Sequence, residues 1–282
     1  MGQPPPLHIL LTNDDGHEAP GINALYSVFT EAGHDVSMVA PSTEQSSTGM
    51  SITSRRNLAL EQLGDGNWHL DGQPADTVLV ALRHLLQDRQ PDLVLSGVNF
   101  GPNLGAGLHI SGTIGAAVMA ALLGVPAIAV SVGFQFHEID DSPLQFPSTH
   151  EAFEPAACFT RTVVDKLRAT SLPGAPLLPP NVLLNINYPA LPGERIRGIL
   201  YPEVSDIQLI GLDYERCNET GHVVPRYITD IDPEKPHEQE QGDVRAHLEG
   251  YITISAVRPN WNPPEEQKRA LHRRLEGLED FV

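Results

Sequence analysis

Apolar runs of strand length alternate with apolar positions at helical spacing through the first half of the chain. Leu7 to Thr12 is one such run, ended by Asn13-Asp14-Asp15-Gly16, a turn sequence. Ile22, Leu25, Val28 and Phe29 recur at helical spacing behind Pro20, and Gly33 closes a helix predicted over 20–32. A strand is expected at 35–40. A helix opens at Pro74, with Val78, Leu79, Leu82, Leu85 and Leu86 on one face. Further strands are expected at 92–96 and 126–131. Strands that are apolar throughout and separated by helices imply a parallel sheet covered on both faces. The fold class expected is α/β, a Rossmann-like, doubly wound, mostly parallel sheet.

Beyond residue 135 the pattern loosens. A helix over 153–169 and a strand over 181–187 are expected to complete the core, with a further strand at 196–204. A long polar stretch follows at 206–243, rich in Asp, Glu, Pro and His over 230–241. Loops of that length in compact domains serve function or assembly. Tyr251 to Ser255 alternates like a strand, and Pro264 to Leu278 forms a charged terminal helix. The division expected is a core over 1–190 and a C-terminal extension over 191–282, carrying an arm or hairpin, the terminal helix and oligomer contacts.

Charge narrows the choice of ligand. Asp and Glu number 36 against 18 Lys and Arg, a formal net charge of −18. That field opposes nucleic acid and anionic membranes. A small anion is still admissible where a cation, a helix N-terminus or a few arginines supply local positive charge. The two cysteines, Cys158 and Cys217, form no CxxC and are expected as buried thiols. The opening residues lack the basic region of a signal peptide, and the longest apolar tract, Ala116–Leu123, is broken by Gly124 and Pro126. A cytoplasmic location is the expectation.

Three segments fall where open α/β sheets bind ligands, beyond the carboxyl ends of strands. The first is Asn13-Asp14-Asp15-Gly16. Alone this is turn chemistry, but two adjacent carboxylates repel unless a cation or proton intervenes. The second is the Ser/Thr-rich loop from Ser42 to Thr53, by itself an ordinary solvated linker. The third runs from Ser96 through Asn99, Gly101, Asn103, Gly105 and Gly107 to Ser111-Gly112-Thr113 at the mouth of a helix. Its glycines admit close backbone approach, and the helix N-terminus can hold phosphate. It is neither a Walker A loop nor a dinucleotide fingerprint. HExxH, Cys/His clusters and a Gly-x-Ser-x-Gly elbow are absent from the sequence, which weighs against zinc and serine hydrolase chemistry.

Taken together and in order, the segments resemble the SurE (survival protein E) family of metal-dependent 5'-nucleotidases. The matching pieces are residues 9–16, Ala19 to Ile22, the Ala40-Pro41, Ser46, Gly49 and Ile52-Thr53 stretch, Pro74 to Asp76, Pro91 to Asn103, Ser111 to Thr113 and Gly250 to Ile254. The resemblance implies that Asp14, Asp15, Ser46 and Asn99 bind one divalent cation per subunit. An all-oxygen set of this kind suits Mg²⁺ or Mn²⁺. It assigns Asp14, Asp15 and Asn13 to catalysis, and Asn103, Ser111, Gly112 and Thr113 to the substrate phosphate. The implied reaction is hydrolysis of nucleoside 5'-monophosphates, with 3'-nucleotides and polyphosphate as further substrates, in a homodimer or homotetramer. The chain departs from the family in having Ile110 after His109 where Tyr commonly stands, Ala106 and Gly107 in place of acidic residues, and Met119 in place of Glu. These positions bear on how the nucleoside is gripped.

In this reading a metal-activated water attacks phosphorus; an aspartyl phosphate formed on Asp14 or Asp15 is the competing route. Two other readings stand beside it. Glu31 to Pro41 also looks like the opening of a nucleotide-sugar glycosyltransferase, a fold that needs a second Rossmann domain. The other is a non-catalytic nucleotide-binding protein of the same fold class.

Overall fold

The computed structural model describes residues 5–138, 146–172, 174–217, 221–228, 242–260 and 262–276. The expectations for residues 1–4, for the acidic run at 230–241 and for the end of the terminal helix at 277–278 lie outside the described residues.

In chain order the elements are β1 (His8–Thr12), α1 (Pro20–Glu31), β2 (Asp35–Pro41), β3 (Leu60–Gly64), β4 (Asn67–Leu70), α2 (Pro74–Val80), β5 (Leu93–Phe100), α3 (Gly112–Leu122) and β6 (Ala127–Val132). They continue with α4 (Pro147–Thr170), β7 (Leu183–Tyr188), β8 (Ile199–Leu200), β9 (Gly211–Arg216), β10 (Val223–Ile228), α5 (Asp243–Leu248), β11 (Ile252–Val257) and α6 (Glu265–Arg274).

Nine strands form one sheet in the order β3-β4-β2-β1-β5-β6-β7-β11-β8. From β4 to β7 every neighbouring pair is parallel, while β3 and β11 join antiparallel. Alternation along the central strands sorts side chains to two cores. Ile9, Leu11, Leu93 and Leu95 pack with Ile22, Leu25 and Phe29 of α1 and Phe153 and Val164 of α4. Leu10, Val39 and Val94 pack with Val78 of α2 and Ile114, Ala116 and Ala120 of α3. A fully buried side chain of this size contributes about 1.5–3 kcal/mol, so both faces demand cover. The doubly wound architecture follows from that demand.

The expected elements are present, with differences at several bounds. The helix opened by Pro74 is regular only to Val80 and continues as a wider turn over Ala81–Leu85. Helix α4 starts at Pro147, ahead of the expected 153, because Glu138 accepts hydrogen bonds from the backbone and hydroxyl of Ser148 in its first turn. The strand at 181–187 does not complete the sheet: β11 pairs with it antiparallel, and β8 pairs parallel with β11. Only Ile199–Leu200 of the 196–204 segment is strand. The β3–β4 hairpin, turning at Asp65-Gly66, escapes a hydrophobic-pattern reading because β3 is largely exposed. The polar 206–243 stretch contains a second hairpin, β9–β10, forming its own two-stranded sheet. Cys158 and Cys217 form no disulfide and are only partly buried, correcting the expectation of buried thiols.

Candidate metal and phosphate site

Strand order positions the site. Leaving β1 the chain moves to β2 on one side, and later returns to β5 on the other, so the connections diverge between β1 and β5. A crevice opens at such a switch point beyond the strand ends. Asp14 and Asp15 follow β1, the Ser/Thr loop follows β2, and Asn99 to Asn103 span the end of β5.

Each loop is tied to the first by a named bond. Gln45 N–H donates to the backbone carbonyl of Asp14 at 2.7 Å, drawing in the loop that carries Ser46. Phe100 N–H donates to Asp15 Oδ2 at 3.1 Å, joining the end of β5 to the second carboxylate. Thr113 Oγ1 donates to Asp14 Oδ1 at 2.5 Å. Asn13 Nδ2 donates to Gly16 O at 2.7 Å and braces the turn from below.

Asp14, Ser46, Asn99, Asn103 and Ser111 line one cavity of about 380 Å³, closed on its far side by Gln208, Leu209 and Ile210. Asp15 is partly exposed and held by Phe100 N–H, and Asn13 is fully buried beneath the turn. Gly112 and Thr113 do not face this cavity as a phosphate cradle would. Thr113 is fully buried with its hydroxyl on Asp14, and a Cβ at Gly112 would lie 2.8 Å from Asp14 Cβ. Glycine at 112 therefore makes room for the carboxylate. Ser111 caps α3, its hydroxyl oxygen accepting from Ile114 N–H at 3.1 Å.

Electrostatically the two carboxylates are frustrated. Burial pushes Asp14 above the usual carboxylate range, partly offset by its hydrogen bonds from Thr113. Burial, then the neighbouring charge of Asp14, raises Asp15 to about 7. Among the described residues no lysine or arginine forms an ion pair with either. Among them, too, no group of three His, Cys, Asp or Glu side chains is placed to hold a metal. A cation here must therefore draw on neutral oxygens, and suitable ones are at hand. Asn99 donates through Nδ2 to Gly101 O at 2.6 Å, which leaves its Oδ1 to act as a ligand atom. Ser46 Oγ donates to Glu44 Oε1 at 2.7 Å and retains its lone pairs. Asn13 Oδ1 is buried without a hydrogen-bond partner. Two carboxylates with amide and hydroxyl oxygens fit a hard divalent ion.

A family model described as "Survival protein SurE" matches residues 9–208. The chain belongs to the SurE family. Relatives named 5'-nucleotidase SurE include one from Heliobacterium modesticaldum, 42% identical over 259 residues, covering 89% of this chain and 86% of the relative. Another, from Desulfitobacterium hafniense, is 37% identical over 254 residues, covering 89% and 90%. The crystal structure of the SurE protein from Aquifex aeolicus superposes with a TM-score of 0.75 at 29% identity, covering 95% of this chain and 99% of that one. In this SurE-family chain the matched stretch spans the carboxylates, the Ser/Thr loop and the Asn/Gly loop. It stops at Gln208, so Leu209 to Leu212 on the cavity wall lie beyond it.

Sequence reasoning missed several contributors. Glu44 contacts Ser46 and adds its charge to both carboxylates. Asn185 and Asn187 bind Asn103, and Asp243 Oδ2 accepts from Gly105 N–H at 3.0 Å. A signal existed for the asparagines: polar residues at i and i+2 in an otherwise apolar strand mark a buried polar pair.

Proposed function

We propose that this protein hydrolyses nucleoside 5'-monophosphates to nucleoside and inorganic phosphate. Asp14, Asp15, Ser46 and Asn99 would hold Mg²⁺ or Mn²⁺. The observation that carries this is the convergence of Asp14, Ser46 and Asn99 with Asn103 and Ser111 around one cavity at the sheet's switch point, with Asp15 held to the end of β5 by Phe100 N–H. The names of the relatives support the substrate class. A bound cation would supply a Lewis acid and an activated water.

The chain's own groups do the rest. Asn103 Nδ2 and the Ser111 hydroxyl are the polar groups placed to bind phosphate oxygens, next to the positive end of α3. With Gly112 and Thr113 given over to Asp14, their part is to fix that carboxylate. Asp14 and Asp15, committed to a cation, are poor nucleophiles, which favours attack by water over an aspartyl phosphate. Among the described residues a single Rossmann-like sheet is present, and the second such sheet that a glycosyltransferase needs is not found among them. Cleavage of 3'-nucleotides and polyphosphate would use the same phosphate groups.

The segment over 191–282 is proposed to mediate a homodimer or homotetramer. Its support is the β9–β10 hairpin, which leaves Tyr214 and Val223 each 61% exposed. Among the described residues no helix is long and apolar enough to cross a membrane. Phosphate release from a panel of nucleoside monophosphates, with and without Mn²⁺ or Mg²⁺, tests the reading. Metal-dependent release, abolished in Asp14→Asn and Asp15→Asn proteins of unchanged circular dichroism, is expected. Full activity in either variant would overturn the assignment.

A further inference from the structure

Strand β7 reads Leu183-Leu-Asn185-Ile-Asn187-Tyr188, with both asparagines fully buried. Burying an amide is strongly unfavourable unless its hydrogen bonds to water are replaced. Apolar residues here would extend the core. Both amides instead reach one residue. Asn187 Oδ1 accepts from Asn103 N–H at 2.8 Å, while its Nδ2 donates to Asn103 O at 3.0 Å. Asn185 Nδ2 donates to the same carbonyl at 2.8 Å, filling its second lone pair. On the neighbouring strand, Ser131 lies in register with Asn187, and Asn103 Nδ2 donates to Ser131 Oγ at 2.9 Å. Asn103 thus has its backbone N–H, its carbonyl and its side-chain amide held by three residues of two rigid strands. One hydrogen of Nδ2 is left for a ligand. Asn185 Oδ1, meanwhile, is buried with no partner.

We propose that Asn185, Asn187 and Ser131 are positioning residues, which clamp Asn103 to the sheet so that its amide meets the substrate phosphate in a fixed orientation. The proposal rests on the assignment of Asn103 to phosphate made above. It explains why a polar patch sits inside the sheet: a donor on a free Gly/Asn loop would have to be ordered at each turnover, whereas one fastened at three atoms is ordered in advance.

The test uses full-length protein with Mn²⁺ and a nucleoside monophosphate. Asn187→Leu is expected to lower kcat about 10- to 100-fold with a smaller change in KM, as for displaced substrate-positioning groups. Ser131→Ala removes one hydroxyl and guards against a variant that fails to fold; a loss of about 3- to 10-fold is expected. In an Asn103→Ala background, Ser131→Ala should have no further effect, because its partner is gone. Hydrogen exchange at the Asn103 amide should accelerate in Asn187→Leu, a readout independent of turnover. A merely structural role predicts lower thermal stability with kcat per folded molecule unchanged in both variants, and that result would overturn the proposal alone. A Ser131→Ala loss that persists without the Asn103 side chain would do the same. A wild-type chain that releases no phosphate would instead overturn the nucleotidase reading, and the clamp's purpose with it.

Discussion

Asp15 shows how much of the site's behaviour is set by one half-buried carboxyl. Its acidity lies at about 7 because burial and the charge of Asp14 both disfavour ionisation. In the unfolded chain it titrates near the ordinary carboxylate value. The native state therefore holds more protons between roughly pH 4 and pH 7, and metal-free stability from this group is lost as pH rises through that window. Asp15→Asn, which mimics the neutral form, should be more stable than the metal-free wild type at pH 8. The advantage should vanish near pH 4; thermal unfolding with chelator present checks both. The same protonation competes with metal, so Mn²⁺ affinity should climb from pH 6 to pH 8, with proton release seen by calorimetry in buffers of different ionisation enthalpy. Neither carboxyl's environment is visible in the sequence. The motif Asn13-Asp14-Asp15-Gly16 is legible as a strand-end turn, but the role of Gly112 as the space into which Asp14 fits becomes apparent only when the chain is folded.

Helix α3 and the loops around it carry the next level. A Cβ at Gly115 would lie 2.2 Å from the carbonyl oxygen of Gly49, so the Ser46 loop packs directly on this helix. Gly115→Ala must push that loop outward; we expect a loss of Mn²⁺ affinity of about tenfold or more with α3 intact, on the scale of lost supporting contacts in metal sites. Calorimetric titration beside far-UV circular dichroism checks it. The alternating strands and helices through β6 are legible because a strand buried on both faces must be apolar throughout. The β3–β4 and β9–β10 hairpins are not, since neither buries a continuous face. The asparagines of β7 signal a buried polar pair by their i, i+2 spacing, but their partner does not show, because their bonds run to residue 103, more than eighty positions away.

At the scale of the whole molecule, a net charge of −18 and an anionic substrate are reconciled if a cation dominates one small cavity. Phosphate hydrolysis should then fall steeply on chelation and return with Mn²⁺ or Mg²⁺. Assembly is a separate matter, proposed above for the C-terminal segment. Replacing Tyr214 and Val223 with Asp should shift sedimentation toward monomer with the Rossmann-like core still folded; an unchanged assembly would remove the hairpin from the interface. The site was readable in the sequence as three separate loops, and the sheet order supplies what the sequence lacks, a reason for them to meet. The most direct measurement of that meeting is a crystal grown with Mn²⁺ and recorded at the manganese absorption edge. One anomalous peak is expected about 2.1–2.3 Å from oxygens of Asp14, Asp15, Ser46 and Asn99. A peak elsewhere, or none while phosphate release proceeds, would contradict the account.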